Sequence, residues 1–409
     1  MASILKRYTA DFISKYRPSL SRQVESTLAR IGFCRTAAMG GRTYACNQCQ
    51  TKISLYNSCA DRHCPQCSGA RRADWLDRAA ELLLPDVTYF QVVFTLPDKL
   101  SPLILGNRRK LYRTLMHTAW EALKECIETK LGMQASAMMV LHTWNQRLGH
   151  HPHVHLLVPG SGPSLDGRRW IECRQTKPTG NSPAKPTLVD NKELSREFSE
   201  RFLRKLKSLH RRGKLDLEEE LAGLQEPLAW AKFTDTLLAH DWCVFIERPP
   251  TSKSSPEHVL KYLARYMTGG PISDRRLVSC DNDIVTFMAR NKDKHSSASQ
   301  VSEKLSGVEF IRCWSLHILP KGFTKSRCFG GYSSARRTAF IALCKQLHPL
   351  AVTEQCDPQV NDAITETQDI PTERCCAKCQ QPMQLLSETR RPSWRDLFYG
   401  PNHHSWFES

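Results

Sequence analysis

Two C-x-x-C pairs, Cys46-Asn47-Gln48-Cys49 and Cys64-Pro65-Gln66-Cys67, stand 14 residues apart near the N-terminus. Each pair bends the chain into a knuckle whose two thiolates converge on one tetrahedral ion, and two knuckles close the ion's shell. A closed four-thiolate site leaves no position for water, so it supports a fold and does no chemistry of its own. The spacing is near the usual zinc range and predicts a small zinc-ribbon-like domain. Cys59 and His63 lie close enough to replace a ligand, and Cys34 is a more distant candidate. The bland alternative is a redox pair with stray thiols. The chain has 17 cysteines, an odd number, and turns polar after Met1 to Arg7 with no apolar export segment. Both features weigh against a disulfide framework and for metal ligation or buried thiols.

At 409 residues the chain is long enough for two or three domains. Residues 1–33 read as helical. Arg71 to Leu84 reads as a helix stopped by Pro85. Val87 to Thr95 is rich in β-branched and aromatic residues and predicts a strand. Leu111, Leu115, Ala119, Leu123 and Ile127 recur at helical spacing and predict a helix over 107–131. Strands follow at 136–144 and 152–158, joined by a turn at Arg147 to His150. Residues 160–192 read as a loop, 193–212 as a basic helix, 228–240 as a helix, and 241–247 and 283–290 as strands. Residues 300–318 read as helical. The alternation of strands and helices with a hairpin in the middle predicts an α+β fold with a central antiparallel sheet and flanking helices. The expected division is a head over 1–84, a catalytic domain over 85–275 with a basic insertion around 160–240, an accessory region over 276–350 and a loose tail over 351–409. No apolar run approaches the ~20 residues of a membrane helix, which argues against an integral membrane protein.

His151-Pro152-His153-Val154-His155 is the second constellation. On a strand, residues i and i+2 share a face, so His153 and His155 present two imidazoles side by side while Val154 and Leu156 face a core. A pair of surface histidines is common, and a catalytic ion needs a third ligand. A turn centred between Leu148 and Gly149 places His142 opposite His155 and Trp144 opposite His153, which makes His142 the expected third ligand and Gln146 the alternative. A slip of one residue would reverse the facing.

Tyr262-Leu263-Ala264-Arg265-Tyr266 is the third. Residues i and i+4 lie on one helix face, so two phenols could serve one phosphodiester site, although an aromatic core stripe has the same spacing. Lys plus Arg is 58 against 41 for Asp plus Glu, a formal charge of +17. An excess of that size points to a polyanionic partner, most often nucleic acid. Arg201, Arg204, Lys205, Lys207, Arg211 and Arg212 cluster on the basic helix and could track a phosphate backbone. Trp144 and Trp170 could stack unpaired bases, though core packing is the ordinary use of each.

The ordered set is more specific than any member. A cysteine head with Tyr56-Asn57-Ser58-Cys59 and Arg62-His63-Cys64-Pro65-Gln66-Cys67 comes first, then Tyr89 to Pro97, and then the H-x-H strand with Val158-Pro159-Gly160. The Y-x-x-x-Y segment, Glu309 to Arg312 and His317 to Phe323 follow. This set, over residues 20 to 345, resembles the IS91-type rolling-circle insertion-sequence transposases, which are HUH enzymes with paired tyrosines. The resemblance implies an HUH-endonuclease-like sheet, His153 and His155 as ligands of a catalytic Mg²⁺ or Mn²⁺, and Tyr262 and Tyr266 as nucleophiles. It also implies a structural Zn²⁺ on Cys46, Cys49, Cys64 and Cys67. Its partners would be single-stranded DNA at transposon ends and target DNA, handled by a bacterial, cytoplasmic, nucleoid-associated protein without a nucleotide cofactor.

The tail carries Cys375-Cys376-Ala377-Lys378-Cys379, a knuckle without an obvious partner, which His403 and His404 could complete. A plasmid replication initiator or relaxase would share the HUH chemistry. A zinc-ribbon DNA-binding protein with structural histidines and tyrosines would share none of it. There is no P-loop of the G-x-x-x-x-G-K-S/T form, which argues against a relaxase with a fused helicase.

Overall fold

The computed structural model describes residues 1–67, 77–84, 86–176, 185–240, 242–247, 270–291, 298–348 and 374–399. The chain divides into two units. The first gathers Met1–Arg71, Ser273–Ile318 and Asp357–Ser409, and the second gathers Arg72–Ile272 and Leu319–Cys356. The region expected as one accessory piece, 276–350, is thereby shared between them.

The second unit is built on a five-stranded antiparallel sheet. Its order is Val244–Glu247, Tyr89–Thr95, His150–Pro159, Ser136–Trp144, Ser326–Gly330. The period of two sorts the side chains. One face carries Phe90, Val92, Phe94, Met139, Leu141, Val154, Leu156 and Val158 into the main core. Helices Arg108–Leu131 and Asn191–Arg211 cover that face. They present Leu111, Leu115, Ala119, Leu123 and Ile127 from the first helix and Leu194, Phe198, Phe202 and Leu206 from the second, all buried. The other face carries Tyr89, Met138, Val140 and Leu157 against Tyr332 and Phe340. His142, His153, His155 and Gln91 share this second face, as the register requires. The edge strand ends at Gly330, where φ is +60° and a Cβ would lie 1.9 Å from the carbonyl oxygen of Ala135, so only glycine fits.

The first unit opens with helices Ala2–Tyr16 and Arg22–Phe33, separated by a turn at Pro18; the second is capped by Ser21, whose hydroxyl accepts from Val24 N. Strands Gly41–Cys46 and Lys52–Tyr56 form a hairpin, and the tail strand Met383–Thr389 pairs antiparallel on its free side. The part of the tail over 374–399, expected to be loose, is therefore folded: the ladder to Gly41–Cys46 supplies the hydrogen bonds that its own weak periodicity does not announce. A separate three-stranded sheet is made of Leu277–Asp281, Ile284–Arg290 and Gln300–Ser306.

The expected helix over 300–318 is corrected to a strand followed by the shorter helix Gly307–Ser315. Burial alternates along Gln300–Ser306, which is a strand period, and the Ser306 hydroxyl accepts from Glu309 N at 3.3 Å, which starts the helix there. Gly307 lets that helix close on the first: a Cβ would meet the Tyr8 ring at 2.4 Å.

Candidate active site and metal centres

The histidines come from two neighbouring strands at the middle of the sheet. His142 lies directly opposite His153, and Val140 opposite His155. The expected pairing of His142 with His155 is corrected by two residues, and Trp144 pairs with His150 after a register irregularity. The turn explains it. Asn145 N donates to the Gly149 carbonyl at 3.0 Å, and Asn145 Oδ1 accepts from Arg147 N and Gly149 N, each at 2.9 Å. This asparagine-closed turn is centred on Arg147, upstream of the expected point. A shift of two residues preserves the facing, so all three imidazoles still meet.

Ring centroids are 5.3 Å apart for His142 and His153, 4.7 Å for His142 and His155, and 5.0 Å for His153 and His155. One ring nitrogen from each lies within 4.8 Å of the others. Gln146, the alternative third ligand, is exposed in the turn. Burial draws the His153 pKa down to about 4. Burial, then the neighbouring His153 and Lys325, draws His155 down to about 3. Both are therefore neutral at physiological pH, the form that donates a lone pair to a metal.

Partners around the rings fix which nitrogen is basic. His153 Nδ1 donates to the His151 carbonyl at 2.8 Å, which leaves Nε2 as the ligand atom. His155 Nδ1 lies 2.8 Å from the Gln91 side-chain nitrogen, and the buried Gln91 Oε1 has no hydrogen-bond partner. With that amide turned over, Oε1 would accept from Nδ1–H and Nε2 of His155 would be the ligand atom. Trp144 stacks on His142 with centroids 4.5 Å apart, and the Lys325 ammonium lies 5.1 Å from the indole. Its face is thus used within the site. Trp170 packs edge-on against His348. His150 contacts Ser101 and Tyr112, and His151 pairs with Asp98 at 2.8 Å, so neither joins the cluster. Tyr262 and Tyr266 lie outside the described residues, as do His403 and His404.

The cysteines sort differently from the sequence expectation. The knuckle Cys64–Cys67 gathers with Cys34 and Cys59, and the knuckle Cys46–Cys49 gathers with Cys376 and Cys379. The two knuckles read as one site therefore belong to two clusters. In each, all sulfurs lie within 4.8 Å of one another. A tetrahedral zinc with Zn–S near 2.3 Å needs sulfurs about 3.8 Å apart, and Cys59 and Cys67 stand at 3.6 Å.

Backbone amides support the first cluster: Cys59 N donates to Cys34 Sγ and Asp61 N to Cys59 Sγ, each at 3.4 Å. Hydrogen bonds among the sulfurs hold the Cys67 thiol well below its ordinary pKa and push Cys59 above it. His63 is engaged with Asp61 at 3.0 Å and is not in the cluster. Burial pushes the Asp61 carboxyl up, but hydrogen bonds to His63 and the charge of Arg30 outweigh it, so the pKa falls. In the second cluster the Thr51 hydroxyl and amide draw Cys49 down to about 6. The tail knuckle was visible in the sequence, but nothing there said which knuckle it meets.

A mixed helix and antiparallel-sheet unit with a largely buried histidine triad, joined to a head of clustered thiolates, defines a metal-binding protein with a candidate catalytic centre. A family profile described as "Transposase zinc-binding domain" matches residues 4–96, and one described as "Putative transposase" matches residues 136–339. "Putative transposase y4qJ" of Sinorhizobium fredii is 36% identical over 394 residues, 95% of this chain and 94% of that protein. "Transposase for insertion sequence element IS801" of Pseudomonas savastanoi pv. phaseolicola is 27% identical over 325 residues, 76% of this chain and 70% of that protein. No solved structure matches the chain. The chain belongs to the IS91-type insertion-sequence transposases. As a transposase it acts on DNA. Among the described residues no helix is long and apolar enough to cross a membrane.

Proposed function

We propose that the chain is an HUH-type single-strand DNA endonuclease and strand transferase that nicks and rejoins transposon ends during rolling-circle transposition. The observation that carries this reading is the convergence of His142, His153 and His155 on one face of two paired central strands. Three imidazoles leave positions on a divalent ion for substrate oxygens. Mg²⁺ or Mn²⁺ held there would polarise the scissile phosphate and offset charge developing on its oxygens. Imidazole softness favours Mn²⁺ of the two.

Tyr262 and Tyr266 are the proposed nucleophiles, supported by their i, i+4 spacing and by membership of the family. A phenol with a pKa near 10 is a weak nucleophile at neutral pH, so it depends on a polarised phosphate. The tyrosine oxygen forms a bond to phosphorus, the P–O3′ bond breaks, and the phenolic proton ends on the departing 3′-oxygen. The 5′-phosphotyrosine conserves the phosphodiester energy, so rejoining needs no nucleotide. Two tyrosines allow two linked cleavages in one site. Helix Asn191–Arg211 buries Phe198, Phe202 and Leu206 and exposes Arg204, Lys205, Lys207 and Arg211, a face suited to sequence-blind phosphate contact. Arg201 is paired with Glu197 at 3.1 Å and adds less charge to it. Action on the element's DNA implies a cytoplasmic protein.

The test is covalent trapping. The protein is incubated with labelled single-stranded oligonucleotides from the ends of its element and Mn²⁺, and SDS-resistant adducts are counted. An adduct lost on chelation and in the Tyr262→Phe/Tyr266→Phe double variant is expected. DNA binding without any adduct would replace this reading with a non-nucleolytic zinc-ribbon DNA-binding protein.

A further inference from the structure

The cluster of Cys46, Cys49, Cys376 and Cys379 reaches far beyond residues 4–96, the stretch matched by the zinc-binding domain. Its two halves are built alike. In the N-terminal knuckle the Cys46 carbonyl accepts from Gln50 N at 2.9 Å, Cys46 N donates to the Thr51 carbonyl at 3.0 Å, and Gln50 has φ +56°. In the C-terminal knuckle the Cys376 carbonyl accepts from Gln380 N at 2.9 Å, Cys376 N donates to the Gln381 carbonyl at 2.8 Å, and Gln380 has φ +60°. A left-handed residue other than glycine is uncommon, and here it recurs one residue after the second cysteine of both turns.

The two turns meet at the same end of one ladder, where Cys46 pairs with Met383. Across it, Cys46 Sγ and Cys379 Sγ are 3.3 Å apart, Cys49 Sγ and Cys376 Sγ 3.4 Å, and Cys49 Sγ and Cys379 Sγ 3.6 Å. These separations are close to the edge of a zinc–thiolate tetrahedron, about 3.8 Å. The apolar support is slight: Cys46, Cys376 and Met383 are the buried members, with Tyr44 and Ile53 beside them, and Leu385 and Leu386 of the tail strand are exposed. A module with so little apolar core is of the kind that a bound ion stabilises.

We infer that these four thiolates bind a second structural zinc ion, which staples the C-terminal tail to the N-terminal ribbon. On binding, the S–H bonds break, Zn–S bonds form and the protons pass to solvent, so the site loads best where the thiols are already partly ionised. The inference concerns architecture and stands whether or not the nuclease reading holds.

Alkylation of the zinc-loaded full-length protein tests it, because the chain carries its own control. Cys375 is exposed and outside the cluster, whereas Cys49 and Cys379 are partly exposed and inside it. With iodoacetamide and peptide mapping, Cys375 is expected to react at once, and Cys49 and Cys379 only after a chelator is added. A mercurial titration, which frees thiolate-bound zinc and leaves histidine-bound metal aside, should release two equivalents from the wild type and one from a Cys376→Ser/Cys379→Ser variant. Alkylation of Cys379 in the zinc-loaded protein as fast as Cys375, or release of a single equivalent from the wild type, would overturn the inference.

Discussion

His155 shows how much of the centre is decided by single side chains. Its pKa of about 3 comes from burial first and from His153 and Lys325 second, and His153 sits at about 4 through burial. An unfolded imidazole titrates near 6.5. Between that value and about 4 the unfolded chain takes up protons that the folded one refuses, so stability falls as pH drops through this window. For metal-stripped protein the urea midpoint should fall between pH 7 and pH 5, and less so in His155→Asn. An unchanged pH slope in that variant would contradict the burial argument. The same depression keeps the ligand form populated in acid, so Mn²⁺ binding should hold from pH 7.5 down to about 5, below where ordinary histidines lose it. Gln91 is the positioning residue behind His155. Gln91→Leu removes the acceptor that fixes the ring and should weaken Mn²⁺ binding by roughly 10–100-fold, the usual cost of losing such a partner. Its fold should survive, since Leu is close to Gln in size and Leu157 lies directly opposite, so calorimetric affinity and circular dichroism together separate positioning from collapse.

At the scale of elements, the hairpin of strands Ser136–Trp144 and His150–Pro159 carries the site, and its turn sets the register. Asn145 holds that turn with one side-chain oxygen on two backbone amides. Asn145→Ala should cost roughly 1–2 kcal/mol in denaturant unfolding, since two amides lose their acceptor at a partly solvated turn. It should also loosen the meeting of His142 with His153, seen as weaker Mn²⁺ binding; full stability with full binding would show the turn to be incidental. The hairpin also shows what was legible in sequence. The period of two fixed which faces His153, His155 and Val154 take, because facing depends on local alternation. The partner of His142 was missed by two residues because the count depended on where the turn closes, and Asn145 closes it earlier than the Arg147-Leu148-Gly149-His150 pattern suggests. The helix Arg108–Leu131 was legible because its stripe repeats over many turns. Strand Gln300–Ser306 was not, because seven residues offer too few periods against a following helix.

At the scale of the whole molecule, what sequence could not supply was address. A C-x-x-C pair points to metal, but a thiolate carries no mark of which other pair it will join. Cys46–Cys49 and Cys64–Cys67 are near neighbours in sequence, yet the ladder between Gly41–Cys46 and Met383–Thr389 brings Cys376 and Cys379 to the first pair. That leaves Cys34 and Cys59 for the second. The central sheet and the ribbon consequently rest on different physics. The central sheet is closed by a large apolar core that includes Phe90, Val92, Phe94, Leu115, Leu123 and Phe198, none of which needs a metal. The ribbon has almost no apolar core, so the inferred zinc would carry much of its stability. Removal of thiolate-bound zinc should therefore act unevenly. In hydrogen exchange after mercurial treatment, amides of 41–56 and 383–389 should lose protection, while those of 89–95, 136–144 and 150–159 keep theirs. Equal loss across both sets would mean that the sheet also leans on the zinc, and no loss in the ribbon would mean that hydrogen bonding alone sustains it.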